Sequence, residues 1–421
     1  MNLPIAARNL LRNRWRSGLT GGAVAVAVAL IVWFVHMAAA MYGAMIASAT
    51  DAEIGDAQIA TAARIEDRSL YHAMKIADAQ LDAIRRVEGV QGAAPRVEAF
   101  GLVGHERQST VARVVGVDAA LEPGITSIPG KVTLGAWLSD TPEAPPAPRE
   151  VVLGKTLAEH LEVTVGDELV IFTTAANGAL GNDALKIVGI AATGNSNLDR
   201  MAVWMHIADV QWLTALEGKA HEIILAAEPG ADMEAIKTDV AAVLGGEGPD
   251  KLMVRAWYDI VPELAQMVEV SESSMWIFYI IIYLLAGLGL LNTQRMTALE
   301  RRREFGVLLA IGTRPGRLRN QVIAETVMLT TMGAAVGTTI GMLISWYHQV
   351  FGLDFSASSP DGEAKPLEYM GVTFERFYFH LDPGSVVLPV LLIVFVGLLC
   401  GLWPAIQSGR LDITRAISGR T

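Results

Sequence analysis

Two of the glycine–lysine pairs in this chain are the first residues that could do chemistry, because such a pair can set an ammonium against a nucleotide phosphate. They are Gly154-Lys155-Thr156 and Gly130-Lys131-Val132. The phosphate-cradling loop needs a glycine five residues before the Gly of Gly-Lys-Ser/Thr, and Arg149 stands at that position; the second pair ends in Val132 and lacks the hydroxyl. No nucleotide hydrolysis is expected within these residues. The eight histidines are scattered singly, with no His-Glu-x-x-His and no pair at ligand spacing, so no zinc site is expected. The one cysteine, Cys400, lies in an apolar run, which excludes a disulfide framework or a Cys-based metal site within one copy. There is no Gly-x-Ser-x-Gly nucleophile elbow. The sequence therefore reads as a non-enzyme with no catalytic, cofactor-binding or metal-binding residue.

What sets the chain apart is where its apolar residues fall. Of 421 residues 52% are hydrophobic, too many for an ordinary soluble protein, yet long stretches have ordinary composition. Four runs are free of Asp, Glu, Lys and Arg: Ser17 to Thr50, Ser273 to Gln294, Thr326 to Leu353 and Pro383 to Gly409. A helix needs about 20 apolar residues to cross the bilayer core, and each run supplies that. The expected fold is an α-helical membrane protein with four transmembrane helices, at 18–47, 263–295, 319–352 and 384–407. A cleaved secretory signal is the rival for the first run, since Arg8, Arg12, Arg14 and Arg16 precede it and Ala38-Ala39-Ala40 resembles a cleavage site. A signal's apolar region is roughly 7 to 15 residues long. Here the stretch extends from Gly21 to Ala49 with only His36 interrupting, which fits a retained anchor.

The net charge of −11 hides a steep asymmetry that orients these spans. Segments 1–16, 295–321 and 407–421 hold 14 basic residues and three acidic ones, Glu300, Glu304 and Asp412. By the excess of Lys and Arg they are cytoplasmic, as are both termini. Segments 48–274 and 352–384 hold 19 basic and 40 acidic residues and are placed outside. This balance argues against a nucleic-acid partner.

A mixed α/β extracytoplasmic domain is expected at 48–262, between the first and second spans. Ala112 to Val117 alternates like a strand, and Ile76 to Val87 has helical spacing. The Pro-rich tract Thr141 to Pro148 reads as an exposed loop within it. Within a β-rich insertion at about 121–220, strand, helix, strand and strand are expected at Glu150–Leu153, Lys155–Leu161, Asp167–Thr173 and Leu185–Ala191. From Trp257 to Gln294 only Pro262 breaks the helical pattern, so the second span is expected to continue outward as a stalk. A short outer loop at 353–383 joins the last two spans.

Residues 296–318 form a cytoplasmic loop built on the amphipathic stretch Glu300 to Gly312. Phe305, Leu308 and Leu309 share one helical face, and Gly312 is a natural C-terminal stop. Physics alone leaves two readings open, an interfacial helix whose arginines meet lipid headgroups and a docking element for a cytoplasmic partner. The third and fourth spans carry glycines at helix-packing spacing, Gly333, Gly337 and Gly341 in one and Gly397 and Gly401 in the other. These are expected to pack helices within the chain before they pack two copies. No row of charges marks an ion pathway, and His36 and His348 read as packed or interfacial histidines.

Several stretches together resemble the FtsX-like, macrolide-exporter type of ABC transporter permease. Ala7 to Arg16 is similar to the family's basic elbow helix, here 1–17. Glu300 to Gly312 resembles its signature Glu-Arg-x-x-Glu-Ile-Gly-x-x-x-Ala-x-Gly with Phe305 in place of Ile, and Glu325 and the glycines that follow continue the likeness. Val151 to Ala158 and Val165-Gly166-Asp167 resemble its outer domain, and Pro404 to Ile417, reaching into the tail 408–421, its ending, with Ile413-Thr414 where a proline is usual. The layout is most similar to lipoprotein-releasing permeases. The resemblance implies a multi-pass bacterial inner-membrane permease working as a dimer, with a second copy or a related permease. It implies ATP hydrolysis in a separate ATPase subunit, which docks on a coupling helix at Glu304, Phe305, Gly306, Leu308 and Leu309. ATP-driven movement would pass through the spans to the outer domain, for lipoprotein release or export, with a lipid-linked or hydrophobic cargo or an extracytoplasmic adaptor as further partner. The alternative is a membrane-anchored activator of the cell-division type, regulating an extracytoplasmic partner.

Overall fold

The computed structural model describes residues 14–142, 148–245, 251–354 and 376–409, with short strand segments between 357 and 374. Most of the expected elbow at 1–17 and of the tail at 408–421 lies outside the described residues, as do residues 143–147 of the Pro-rich tract. Two compact units result: Met1–Tyr42, Val268–Asp354 and Arg376–Thr421 form one, and Gly43–Met267 with Phe355–Glu375 the other.

Helix α1 (Arg14–Ala49) passes through a π-helical turn at Thr50–Ile54 to β1 (Ala57–Thr61), α2 (Ala62–Glu66), β2 (Met74–Lys75), α3 (Asp78–Arg85), β3 (Val90–His105) and β4 (Gln108–Val117). Next come β5 (Val132–Gly135), β6 (Arg149–Gly154), α4 (Lys155–Leu161), β7 (Glu168–Thr174), β8 (Leu180–Ala191), α5 (Ser196–Met201), β9 (Ala202–His206) and α6 (Ile207–Thr214). After β10 (Lys219–Ala220), β11 (Glu222–Ala227), α7 (Met233–Leu244), β12 (Leu252–Ala256) and α8 (Trp257–Ile260) come α9 (Pro262–Glu300), α10 (Arg302–Ala310), α11 (Pro315–Phe351) and α12 (Val387–Gly409).

The second unit is built on one ten-stranded sheet with two regions. In the first, β12, β1, β11 and the start of β3 lie side by side, all antiparallel. With α3 and α7 they make a split β-α-β arrangement. Ile59, Ile223 and Leu225 of the strands pack with Leu81 and Ile84 of α3 and Ile236 and Val240 of α7. Asp232 starts α7, its side chain accepting from the backbone N–H of Glu234 and Ala235.

The second region closes on itself. The rest of β3 pairs with β4, β4 with β9, β9 with β6, β6 with β8, β8 with β7, and β7 again with β3. The β4–β9 and β6–β8 pairs are parallel and the others antiparallel. Alternation fills the ring: Val97, Val103, Val114, Leu153, Leu169, Ile171, Leu185, Ile187 and Met205 all join one buried core. Helix α4 plugs that core with Leu157, Ala158 and Leu161 and ends at Glu162, whose φ of 55° is left-handed. Four of the six ring strands come from the stretch that reads as an insertion, and its strand, helix, strand, strand order is present.

Among the described residues four helices, lying mostly in the first unit, are long and apolar enough to cross a membrane: Ser17–Ile54, Pro262–Glu300, Pro315–Phe351 and Val387–Ser408. Pro262 opens α9 at a position where its missing N–H leaves no bond unmade. Val28, Ile31 and Val32 of α1, Tyr283 and Leu290 of α9, Ala334 of α11 and Ile393 of α12 make their common core. Leu284, Leu285 and Leu288 of α9 and Leu391, Phe395 and Leu399 of α12 are exposed, as expected of helices whose surroundings are themselves apolar.

Candidate functional site

Helix α10 lies in the short connection between the long apolar helices α9 and α11, and its attachments are specific. Phe305 is 1% exposed and packs with Leu318 and Val322 of α11 and Ala405 of α12; Leu308, Leu309 and Ile323 lie half-buried around them. Just before α10, Arg301 donates to Glu325 of α11 at 2.6 Å and to Glu304 at 3.3 Å, and its guanidinium lies 5.0 Å from the centre of the Phe305 ring. Arg301 and Glu325 are both largely buried, so their pairing is screened far less than a surface ion pair would be. The helix stops at Gly312, whose φ of +94° few other residues adopt, and the Gly312 N–H donates to the Leu309 carbonyl. Pro315 then opens α11.

This placement changes which residues can meet a partner. Of the five docking candidates, only Glu304 faces outward. Phe305 and Gly306 are buried, and Leu308 and Leu309 turn into the same cluster. An amphipathic helix can lay its apolar stripe on its own chain, and here Phe305, with Leu308 and Leu309 half-buried around it, packs against α11 and α12. The outward side carries Arg303, Glu304, Val307, Ala310 and Ile311, with Val307 46% and Ile311 74% exposed. Arg303, Val307 and Ile311 recur every four residues along the charged side of the helix. That spacing was the available signal.

The glycines named from spacing stand at helix contacts within the unit. A Cβ on Gly333 would lie 2.8 Å from the Gly21 carbonyl oxygen, one on Gly337 2.8 Å from Val28 Cβ, and one on Gly341 2.7 Å from Val32 Cβ, all on α1. A Cβ on Gly397 or Gly401 would lie 2.5 Å and 2.7 Å from Cγ2 of Thr330 and Thr326, on α11. Both threonine hydroxyls are buried and donate to the carbonyl four residues back. His36 is also buried, with Nδ1 3.1 Å from the Ser345 hydroxyl and Nε2 3.4 Å from the Asp382 carbonyl.

The second unit holds a charged network that the sequence reading missed. Arg64 pairs with Glu98 at 2.7 Å, Arg96 with Glu122 at 2.6 Å, and Arg113 with Glu53 and Glu98. Burial works to raise the Glu98 carboxyl, but Arg113 and Arg64 outweigh it and hold it below the usual carboxylate range. Glu222 beside it is pushed up to about 7, first by burial and then by the Glu98 charge. Buried His221 is lowered by desolvation; its Nδ1 accepts from the Glu98 N–H at 3.0 Å and its Nε2 lies 3.0 Å from the Leu70 carbonyl. The paired charges lie 15 to 60 positions apart in sequence and the cluster runs from Glu53 to Glu222, so nothing local announces it.

Residues 17–243 match the family model of the MacB-like periplasmic core domain, and residues 276–413 that of the FtsX-like permease C-terminal domain. The lipoprotein-releasing system transmembrane protein LolC of Neisseria meningitidis serogroup B is 22% identical over 264 residues, 62% of this chain and 62% of that protein. The macrolide export ATP-binding/permease protein MacB of Escherichia coli O157:H7 is 20% identical over 243 residues, 57% of this chain and 34% of that protein. The chain thus matches less than two thirds of the length of either relative. Among solved structures, the periplasmic region of MacB from Actinobacillus actinomycetemcomitans aligns with a TM-score of 0.37 at 12% identity, covering 51% of this chain and 92% of that one. The periplasmic core model alone takes in more than half of the sequence, and the chain belongs to the FtsX-like and MacB-like family of ABC transporter permeases.

Proposed function

We propose that this chain is the permease subunit of an ABC transporter in which a separate ATPase docks on the outward side of α10. The movement of that ATPase passes through α11 and α12 and is spent on a cargo at the outer face of the inner membrane. The observation that carries the reading is the way α10 is held: Phe305 and the Arg301–Glu325 pair fasten it to α11 and α12, while Arg303, Val307, Ala310 and Ile311 stay exposed. A purely lipid-facing helix would turn the Phe305, Leu308 and Leu309 stripe to the bilayer boundary, and that stripe is covered by protein. In this reading the four apolar helices all span, α10 and both termini are cytoplasmic, and residues 48–262 work outside. The excess of 14 basic over three acidic residues in the short flanking segments supports that orientation. The permease works as a dimer with a second copy or a related chain. Release of lipoproteins is favoured as its task, because the LolC alignment takes equal shares of both proteins, with export of a hydrophobic substrate as the other outcome.

Purification of the full chain from its native membrane tests the docking. The ATPase is expected to co-purify with the unaltered chain and to be lost from the double variant Val307→Asp and Ile311→Asp, while the permease itself stays monodisperse in detergent. Retention of the ATPase by the double variant would overturn the proposal. Depletion of the chain then reads out the cargo: lipoproteins held back from the outer membrane indicate release, and unchanged lipoproteins with sensitivity to a hydrophobic drug indicate export.

A further inference from the structure

The outer face of the closed ring carries two features side by side. One is a cavity of about 230 Å³ walled by Arg64, Arg68, Arg113 and Glu98, with Phe100 and Thr174 at its edge. Three guanidinium groups face one carboxylate there, in a region, residues 51–262, that has 31 acidic residues against 17 basic ones. Arg64 and Arg113 are held by ion pairs, and the Arg64 Nε is buried without a hydrogen-bond partner. Arg68 is exposed.

The other feature is an apolar strip. Alternation along β3 sends Val97, Ala99 and Val103 into the ring and leaves Phe100, 60% exposed, and Leu102 outside. Leu102 lies directly across from Val111 of β4 on one side and from Phe172 of β7 on the other. Phe100 lies across from Arg113. All four apolar residues are exposed, as is Val170 one step further along β7. A contiguous apolar patch on a sheet face marks a binding surface. Phe100 belongs to both features, so charge and apolar surface meet at one residue.

We propose that the cavity and the strip form one binding site for an anionic amphiphile. Its phosphate or carboxylate group sits between Arg64, Arg68 and Arg113, and its apolar part lies along Phe100, Leu102 and Phe172. Planar guanidinium groups suit such oxyanions because each can donate two parallel hydrogen bonds. A carbon chain leaving the cavity past Phe100 would next meet Leu102, the following outward residue of β3, with Val111 and Phe172 on either side. The site stands independently of where the ATPase docks.

The test uses the purified full chain in a non-ionic detergent, titrated by calorimetry with dihexanoyl phosphatidate and, separately, with inorganic phosphate. Arg68→Glu and Phe100→Ser are the variants, both at exposed positions, with exposed Arg107→Glu as the charge control and a thermal melt to confirm folding. Saturable binding of the phosphatidate is expected, weakened at least tenfold by each variant and unaltered by the control, with inorganic phosphate binding at least tenfold more weakly. The proposal is overturned by absence of saturable binding, by a loss in only one variant, by equal weakening in the control, or by inorganic phosphate binding as tightly as the amphiphile. Equal binding of free phosphate would leave an anion pocket with no share for the strip.

Discussion

Replacing Gly337 by alanine puts one methyl group where the backbones of α1 and α11 meet. The new carbon would lie 2.8 Å from Val28 Cβ and 2.9 Å from Ala25 Cα, and nearer still to the Ala25 carbonyl oxygen. Two of these three atoms are backbone, so no rotamer change relieves the overlap. The helices must part by about 1 Å, which forfeits a quarter to a half of the dispersion energy between facing atoms along the contact. Alanine gains up to about 1 kcal/mol over glycine in helix propensity. Overpacking costs about 1–3 kcal/mol, so the net expectation is a loss of up to about 2 kcal/mol. Gly289 of α9 supplies the control, since a Cβ there meets nothing within 4 Å. Thermal unfolding of the full chain in detergent should show Gly337→Ala melting below the unaltered protein and Gly289→Ala at or above it. Equal melting of the two variants would refute the claim that close backbone approach, and not helix propensity, decides what this position tolerates.

Two further perturbations probe other parts of the molecule. Phe305→Ala empties a fully buried position and should destabilise the helical unit by about 3–5 kcal/mol, visible in the same melt, whereas Val307→Asp on the exposed side should move it little. Glu222 titrates near 7 when folded and near 4.5 when unfolded, so the folded chain holds its proton more tightly between these values. The stability this lends is complete below about pH 4.5 and is lost as pH rises through about 7, up to about 3 kcal/mol. Glu222→Gln should therefore match the unaltered protein near pH 4.5 and exceed it in urea unfolding of the second unit at pH 8. Parallel pH profiles would refute the assignment.

The parts of this structure that a reader of the sequence can see are those that rest on local composition. A charge-free run is a property of neighbours, and so are glycines four apart, which is why the apolar helices and the Gly333, Gly337 and Gly341 row stand out before any coordinate is known. The strand and helix around Val151 and Leu157 are legible for the same reason. What stayed hidden depends on pairings that no local pattern fixes. The ring closes because Leu102 meets Phe172, 70 positions away, and strand alternation says only which residues share a face. Phe305 carries the right periodicity for a contact face, but that it packs on Leu318, Val322 and Ala405 of the chain's own α11 and α12 is not written in that periodicity. Arg64, Arg96 and Arg113 each look like an ordinary surface charge until the fold brings Glu98 and Glu122 beside them.

The closure of the six-stranded ring limits how another protein can take hold of this domain. A strand with a free side offers a row of unpaired N–H and C=O groups to any extended peptide, and a ring removes those rows. In the ten-stranded sheet the terminal strands are β5 at Val132–Gly135 and β12 at Leu252–Ala256. The first is four residues long and the second five, each too short to template much added strand. Among the described residues the strand edges left open are short, such as Gln108–Ala112 of β4, which pairs with β3 alone, so recognition of this domain rests mainly on surface side chains that point substitutions can retune without unravelling the sheet.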